Sequence, residues 1–412
     1  MKFTVAVSDL ETALKLVTPA LASSGGDLSG HFLFRVSPSN PSRIEVLTYS
    51  GRVSAGSSFV ADLKDADRAS FSIEGKRLLT FIGALAVSDK AAVLLFDDSK
   101  EAKHAETMVT LMSPSPTGEY QPVENSSQYF GSLDPSHFPY VDKYLAAALV
   151  TAKVPGARLA EALDVAKLFT SDDESKTPEL CVVEIADGVM SSTNSTAAAH
   201  ITSPFLKGSK LRAHFKDIGA ISSYLSLAGE EDVEILESEK NFFFRRLDGS
   251  YFGETKFSKG LPAFGKPGPT DQYQFFFSKK ELNRVIRGLE AGAAQEDTRI
   301  QFSVKDANTL FLSMENVGGK TVRWELRLTS TIVDPEAKPL PDKINTTTTN
   351  IKRLLNSVEG DGVVLGASRF KNTGYFRTAT LAFAPKAADG SLAPDAAAKG
   401  DNFITMIIWS KS

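Results

Sequence analysis

The chain has 412 residues, 42% apolar and 23% charged, with a net charge of −4. Such a composition suits about three globular domains of ordinary size and excludes disordered and collagenous classes. The single cysteine excludes an intrachain disulfide, and within Leu180-Cys181-Val182-Val183 it reads as a small core residue of a buried strand.

In chain order, the opening Lys2 to Val7 reads as a strand without the long apolar segment of a signal peptide. An amphipathic helix over 9–21 follows, then a period-two strand at Arg43-Ile44-Glu45-Val46-Leu47-Thr48. A second strand–helix unit comes next, Ser70 to Ile73 and Lys76 to Leu85. Ser113 to Pro139 reads as irregular. The run Tyr144 to Val150 is the longest apolar one and far too short to span a bilayer. The middle part repeats the scheme: a strand from Ala148 to Val154, a helix over 156–169, a strand from Lys210 to Phe215 and a helix from Ile218 to Ala228. Asp187-Gly188 and Asp248-Gly249 are hairpin signals, and Val233 to Leu236 alternates as a strand should. Leu261 to Gln272 reads as a linker. The last part has a strand from Tyr273 to Phe277, a helix over 278–290, a strand from Arg299 to Val304, a Gly318-Gly319 turn, and a strand–helix unit from Ile344 to Val358. A loop spanning Pro385 to Asp401 then leads to a final strand, Phe403 to Ile408.

One pattern occurs three times at near-domain spacing: Val5–Leu10–Leu14, Val154–Leu159–Leu163 and Phe277–Leu282–Ile286. Each marks a strand running into an amphipathic helix. The expectation is an α+β chain of three repeated domains, 1–147, 148–268 and 269–412, each with two helices packed on antiparallel sheet. A chain built three times from one unit reads as an assembled frame more readily than as a single catalytic pocket.

Charge is unevenly distributed. In the helix over 278–290, Leu282, Ile286 and Leu289 share one face while Lys280, Arg284 and Arg287 share the other. The six predicted helices are together net positive, the fourth counted over 209–228, so the strands and loops are acidic. If the helices converge on one surface, that surface faces a polyanion, and DNA phosphate is the obvious candidate. The candidates are Lys76, Arg77, Arg158, Lys210, Arg212, Lys216, Lys280, Arg284, Arg287, Lys352 and Arg353. No zinc-finger spacing, helix-turn-helix or aromatic platform accompanies them, so contact is with the backbone of duplex DNA and independent of its sequence.

Catalytic signatures are missing. His31, His104, His137, His200 and His214 show no metal-ligand spacing, and there is no nucleophile elbow, Walker loop or dinucleotide fingerprint. Ser23-Ser24-Gly25-Gly26 precedes an aspartate and reads as a loop, as does Asp172-Asp173-Glu174. No catalytic residue, metal or cofactor is expected, and the chain is read as a non-enzyme.

These features resemble the bacterial DNA polymerase III beta sliding clamp family over essentially the whole chain. Met1-Lys2-Phe3-Thr4-Val5 is similar to the family's start, and a first helix interrupted near Pro19 follows. Leu159 to Phe169 resembles the first helix of its middle domain. Gly188 to Ala199 resembles the strand carrying Thr-Asp-Gly-His-Arg-Leu, and Asp248 to Phe264 the segment leading into Phe-Pro-Asp-Tyr. The resemblance implies a head-to-tail homodimer closed into a ring of six domains, with helices lining a hole and sheets outside. It further implies a cytoplasmic processivity factor with DNA polymerase and clamp loader as partners. A peptide groove between the middle and last domains carries over to Leu180, Thr193, Pro262, Ile404 and Met406.

Departures are plain too. Asn194 to Ala198 replace the usual Asp-Gly-His-Arg-Leu, residues near 113–139 and 385–401 are additional, and small residues occupy the expected ring contact at Ala291 to Ala294. They read as a divergent, phage-type clamp. Two rivals fit less well. A repeat-built virion or surface-layer protein does not call for basic helices, and an interdomain enzyme calls for clustered carboxylates or histidines.

Overall fold

The computed structural model describes the chain except residues 23–26, 66–69, 86–92, 99–105, 116–118, 263–271, 294–298, 316–317, 338–339, 341–343, 358–360, 371–372, 380–401 and 412. The loops expected at Ser23 to Gly26 and 385–401, and most of the linker 261–272, lie outside the described residues.

The elements open with β1 (Lys2–Ala6), α1 (Val7–Val17), β2 (His31–Val36), β3 (Arg43–Tyr49), β4 (Val53–Val60), β5 (Asp62–Asp65), β6 (Ser70–Glu74), α2 (Gly75–Ala84), β7 (Val93–Asp97), β8 (Glu106–Pro114) and β9 (Tyr120–Gly131). Next come α3 (Asp142–Ala146), β10 (Leu149–Pro155), α4 (Gly156–Lys167), β11 (Val182–Ala186), β12 (Val189–Thr193), β13 (Ala197–Thr202), β14 (Leu211–His214), α5 (Phe215–Ser226), β15 (Asp232–Glu237), β16 (Asn241–Arg245) and β17 (Tyr251–Thr255). The last part holds β18 (Tyr273–Ser278), α6 (Lys279–Glu290), β19 (Arg299–Asp306), β20 (Thr309–Glu315), β21 (Thr321–Arg327), β22 (Ser330–Val333), β23 (Ile344–Thr347), α7 (Thr348–Asn356), β24 (Gly362–Phe370), β25 (Thr373–Ala379) and β26 (Asn402–Lys411).

All six expected helices form. Two sequence expectations need correction. The stretch 113–139, read as irregular, contains the long strand β9. Its residues are mostly exposed because, among the described residues, it pairs on one side only, with β8, so no apolar alternation marks it. The fourth helix starts at Phe215, and Lys210 and Arg212 lie before it, Arg212 on β14. Helix α5 then holds one lysine and one aspartate, Lys216 and Asp217, and is not basic.

Contacts divide the chain into two compact units, Met1–Ala160 with Lys216–Lys256 and Glu161–Phe215 with Phe257–Ser412. The first unit holds a five-stranded sheet, β5-β1-β7-β8-β9, and an eight-stranded one, β10-β15-β16-β17-β4-β3-β2-β6. Its core is aromatic. Phe3 packs on Phe34, Phe59, Phe71 and Phe96, with the Phe96 ring stacked at 5.0 Å, and all five are buried. Burying one such ring is worth about 2–3 kcal/mol, so the cluster is a principal source of stability in this unit.

The other face of the eight-stranded sheet has its own apolar cluster, Leu33, Leu47, Phe138, Leu236, Phe243 and Tyr251, with Tyr140, Tyr144 and Leu145 packed against it. The segment before β10 is therefore strapped across this face. Arg35 fastens it, donating to both carboxylate oxygens of Asp142 at 2.9 and 2.6 Å and to Glu45 at 2.7 Å, with its guanidinium 5.0 Å from the Tyr140 ring centre. Burial drives the Tyr251 hydroxyl far above its ordinary pKa, so it is neutral at every ordinary pH.

Two glycines make the β4–β17 joint possible. Gly56 pairs with Tyr251, and a Cβ at Gly56 would fall 2.4 Å from the Tyr251 ring and 2.9 Å from Leu47. Gly253, opposite Phe243, has a ring edge at 2.7 Å in the same way. Both neighbours are buried, so neither can give way cheaply. Gly56→Ala is expected to destabilise the first unit by about 1–3 kcal/mol, measured as a lower urea midpoint at unchanged m. An unchanged midpoint would mean the joint has slack.

In the second unit, β14-β11-β12-β13-β26-β23-β19-β20-β21 forms one continuous path, with β18, β22, β24 and β25 branching from it. The turn Asp187-Gly188 has φ of 52° and 77°, as a two-residue hairpin requires, and joins β11 to β12. Leu282, Val285, Ile286 and Leu289 of α6 and Ile351, Leu354 and Leu355 of α7 share one core with Phe275, Phe277, Ile300 and Phe302. Among the described residues, no helix is long and apolar enough to cross a membrane.

Candidate functional site

Helices α6 and α7 bury their apolar faces in that core and leave their cations outside. Lys280, Arg284, Arg287 and Lys352 are exposed, and Arg353 is half-buried and bonded to Asn350 at 3.2 Å. Ser278 caps α6, accepting from the amide of Glu281 at 3.4 Å. Spacing Ser278–Glu281 is that of a capping box, yet the Glu281 carboxylate does not turn back. It accepts two bonds from Arg284, at 3.0 and 2.6 Å. These bonds hold Glu281 below its usual carboxylate range and raise Arg284. The Arg284 guanidinium also lies over Trp324, 5.4 Å from the ring centre.

Asp361 takes up the amino end of α6. Its carboxylate accepts from the Lys280 amide at 2.9 Å and from the Ser278 hydroxyl at 2.8 Å, which hold its pKa below the ordinary 3.8. Glu290 at the other end of α6 binds Lys352 of α7 at 2.6 Å. Lys280, Arg284, Arg287, Glu281 and Asp361 line a cleft of about 780 Å³ at the amino end and outer side of α6. The acidic partners were not singled out from sequence; the Ser-x-x-Glu spacing was the available signal for Glu281.

Other predicted basic residues are scattered. In the first unit Lys76 and Arg77 are exposed on α2, with Arg77 3.6 Å from Glu74, and Lys216 is exposed at the start of α5. Arg158 is half-buried on α4. In the second unit Lys210 is exposed before β14. Arg212 is on β14 and bound to Glu184 through Nε at 2.9 Å and through a second, shorter bond. That side chain is engaged in a sheet, not presented on a helix.

The predicted groove residues fall partly together. Thr193 is paired with Ala198 and Ala198 with Met406; one step along, Ser191, His200 and Ile404 are paired in turn. Directly opposed residues share a face, so Ser191, Thr193, Ala198 and His200 lie on one face of β12 and β13, and the register sets positions 406 and 404 of β26 opposite Ala198 and His200. Glu184, opposite Ser191, belongs to that face as well and accepts from the Leu261 amide at 3.3 Å, bringing the exposed Pro262 beside it. Leu180 is buried in the turn before β11. The Thr193 hydroxyl builds the turn, donating to the Ala197 carbonyl at 2.8 Å and accepting from Ser195 at 3.1 Å. Asn194 completes it by accepting from Thr196 and Ala197. Nothing among the described residues groups three or more histidines, cysteines or carboxylates as a metal site.

Strand–helix units repeated along the chain and antiparallel sheets define the DNA sliding clamp fold, here with basic outer faces on α6 and α7. The chain has the fold of bacterial DNA polymerase III beta subunits, matched along its full length. It superposes on the beta subunit of Pseudomonas aeruginosa with a TM-score of 0.74 at 11% identity, covering 100% of both chains. With the Thermotoga maritima beta subunit the TM-score is 0.74 at 11% identity, covering 100% of this chain and 99% of the other. The Bacillus subtilis sliding clamp gives 0.73 at 13%, covering 100% and 99%. The likeness lies in structure: no family model matches the sequence, and no curated protein matches it.

Proposed function

We propose that this protein is a DNA sliding clamp, a non-catalytic processivity factor. It encircles duplex DNA and tethers a DNA polymerase and other replication proteins. The observation that carries this reading is the full-length match to bacterial beta subunits in a chain whose α6–α7 face is basic. Three domains, 1–147, 148–268 and 269–412, form each protomer, and two protomers close head to tail. The helices line the hole, and Lys76, Arg77, Arg158, Lys210, Lys216, Lys280, Arg284, Arg287, Lys352 and Arg353 supply its positive potential. A closed ring leaves the duplex only by opening, so contact with phosphate is weak and mobile, without base reading.

Two sheet ends support closure. Strand β9 ends the five-stranded sheet with exposed Tyr120, Val123 and Tyr129 and with Glu124. Strand β21 ends the long sheet of the second unit with exposed Arg323 and Arg327. Edges that are unpaired among the described residues and opposite in net charge suit pairing between copies. Leu180, Thr193, Pro262, Ile404 and Met406 supply the groove for a short polymerase or clamp-loader peptide. The setting is cytoplasmic.

Negative-stain electron microscopy of the purified protein tests the reading. Six-lobed rings with a duplex-wide hole are the expected particles. Compact particles without a hole, at concentrations well above micromolar, would overturn it.

A further inference from the structure

Three carboxylates, Glu281, Glu290 and Asp361, sit among Lys280, Arg284, Arg287, Lys352 and Arg353 on the α6–α7 face, and each takes a place that phosphate would want. Arg284 is, with Arg287, among the best phosphate ligands there, because its planar fork can bind two oxygens at once. Glu281 already fills both positions, at 3.0 and 2.6 Å. Lys352 is half-exposed, but Glu290 holds its ammonium at 2.6 Å. The amides at the amino end of α6 would form an anion site, but the Asp361 carboxylate accepts from the Lys280 amide at 2.9 Å and the Ser278 hydroxyl from the Glu281 amide. Among the described residues, Arg287 makes no ion pair. Exposed ion pairs such as Arg284–Glu281 and Lys352–Glu290 add little to folding, so stability gives little reason for those two carboxylates to be placed there, whereas Asp361 also satisfies the amino end of α6.

We infer that Glu281, Glu290 and Asp361 are built-in competitors of DNA phosphate that weaken the grip of this face and so set how freely the protein slides. The inference rests on reading the α6–α7 face as DNA-facing. A phosphate approaching Arg284 or Lys352 must displace a carboxylate of similar geometry, so each exchange of partner is near balance and no position on the duplex becomes a trap. Trp324 keeps the guanidinium in place while its partner changes.

The test uses Glu281→Gln, Glu290→Gln and the double variant of the full chain. Binding to a fluorescently labelled duplex is followed by anisotropy from about 50 to 200 mM salt. Each amide keeps the side-chain shape and removes the competing charge. Each single variant is expected to bind several-fold tighter at low salt, and the double about tenfold. The slope of log affinity against log salt should steepen by about one for each cation released. Diffusion of the double variant along stretched DNA should slow in step. Unchanged affinity and slope in both single variants, when the parent binds and the Arg284→Glu, Arg287→Glu double variant binds less, would overturn the inference and leave the DNA reading intact. A parent whose binding is absent, or indifferent to that charge reversal, would remove the DNA reading and the inference together.

Discussion

Reversing two charges, Arg284→Glu with Arg287→Glu, is expected to cost at least tenfold in duplex affinity at about 0.1 M salt. The change removes two phosphate contacts and adds two repulsions, and the salt slope should flatten by about two. Retention on circular DNA should fall with it. Folding should be spared. Both positions are exposed, and the apolar side of α6 is untouched: Leu282, Val285, Ile286 and Leu289 are each at most 2% exposed. New like-charge neighbours at Glu281 and Glu290 cost only a few tenths of a kcal/mol each. A thermal midpoint within a few degrees of the parent, together with lost binding, assigns the face to DNA. Unchanged binding by this variant would place the DNA contact elsewhere.

Ending the chain before Asn402 is expected to abolish cooperative folding of the second unit. Strand β26 is an interior strand, paired along Ala197–Thr202 on one side and Thr373–Ala379 on the other. A dozen ladder bonds at a net value of about 1 kcal/mol each amount to roughly the whole stability of a domain. Circular dichroism should show a broad transition in place of a sharp one. The point substitution Met406→Ala separates fold from function. It leaves the ladder intact, and under the groove assignment it should weaken binding of a polymerase tail peptide about tenfold, with duplex binding unchanged. A folded Met406→Ala protein with full peptide affinity would move the groove off this face.

Much of this architecture was legible because its signals are local. The strand–helix junctions at Val5, Val154 and Phe277, the Asp187-Gly188 hairpin and the two-faced helix α6 each announce themselves within a dozen residues. What was not legible depends on partners far away in sequence. Nothing near Tyr251 says that it will lie on Gly56, and nothing near Phe403 says that it will pair with Ile201. Strand β9 escaped because an edge strand needs no apolar side. The basic stripe of α6 was visible, but its opposing charges were not: Asp361 is distant in sequence, and Glu281 reads equally as a capping residue. In the groove, Thr193 stood out by resemblance, while its hydroxyl proves to be occupied in making the β12–β13 turn.

The sequence interleaves the two units, and synthesis must respect that order. The first unit is interrupted after Ala160 and resumes at Lys216, so the intervening residues emerge from the ribosome before the strands that complete the sheet behind them. Once residue 256 is out, that unit has all its parts. The second cannot seat β13 between two neighbours until residues 402–411 arrive. For most of the time needed to make the last third, the Ala197–Thr202 edge therefore waits open, and it is the place where a nascent chain of this protein would most need a chaperone.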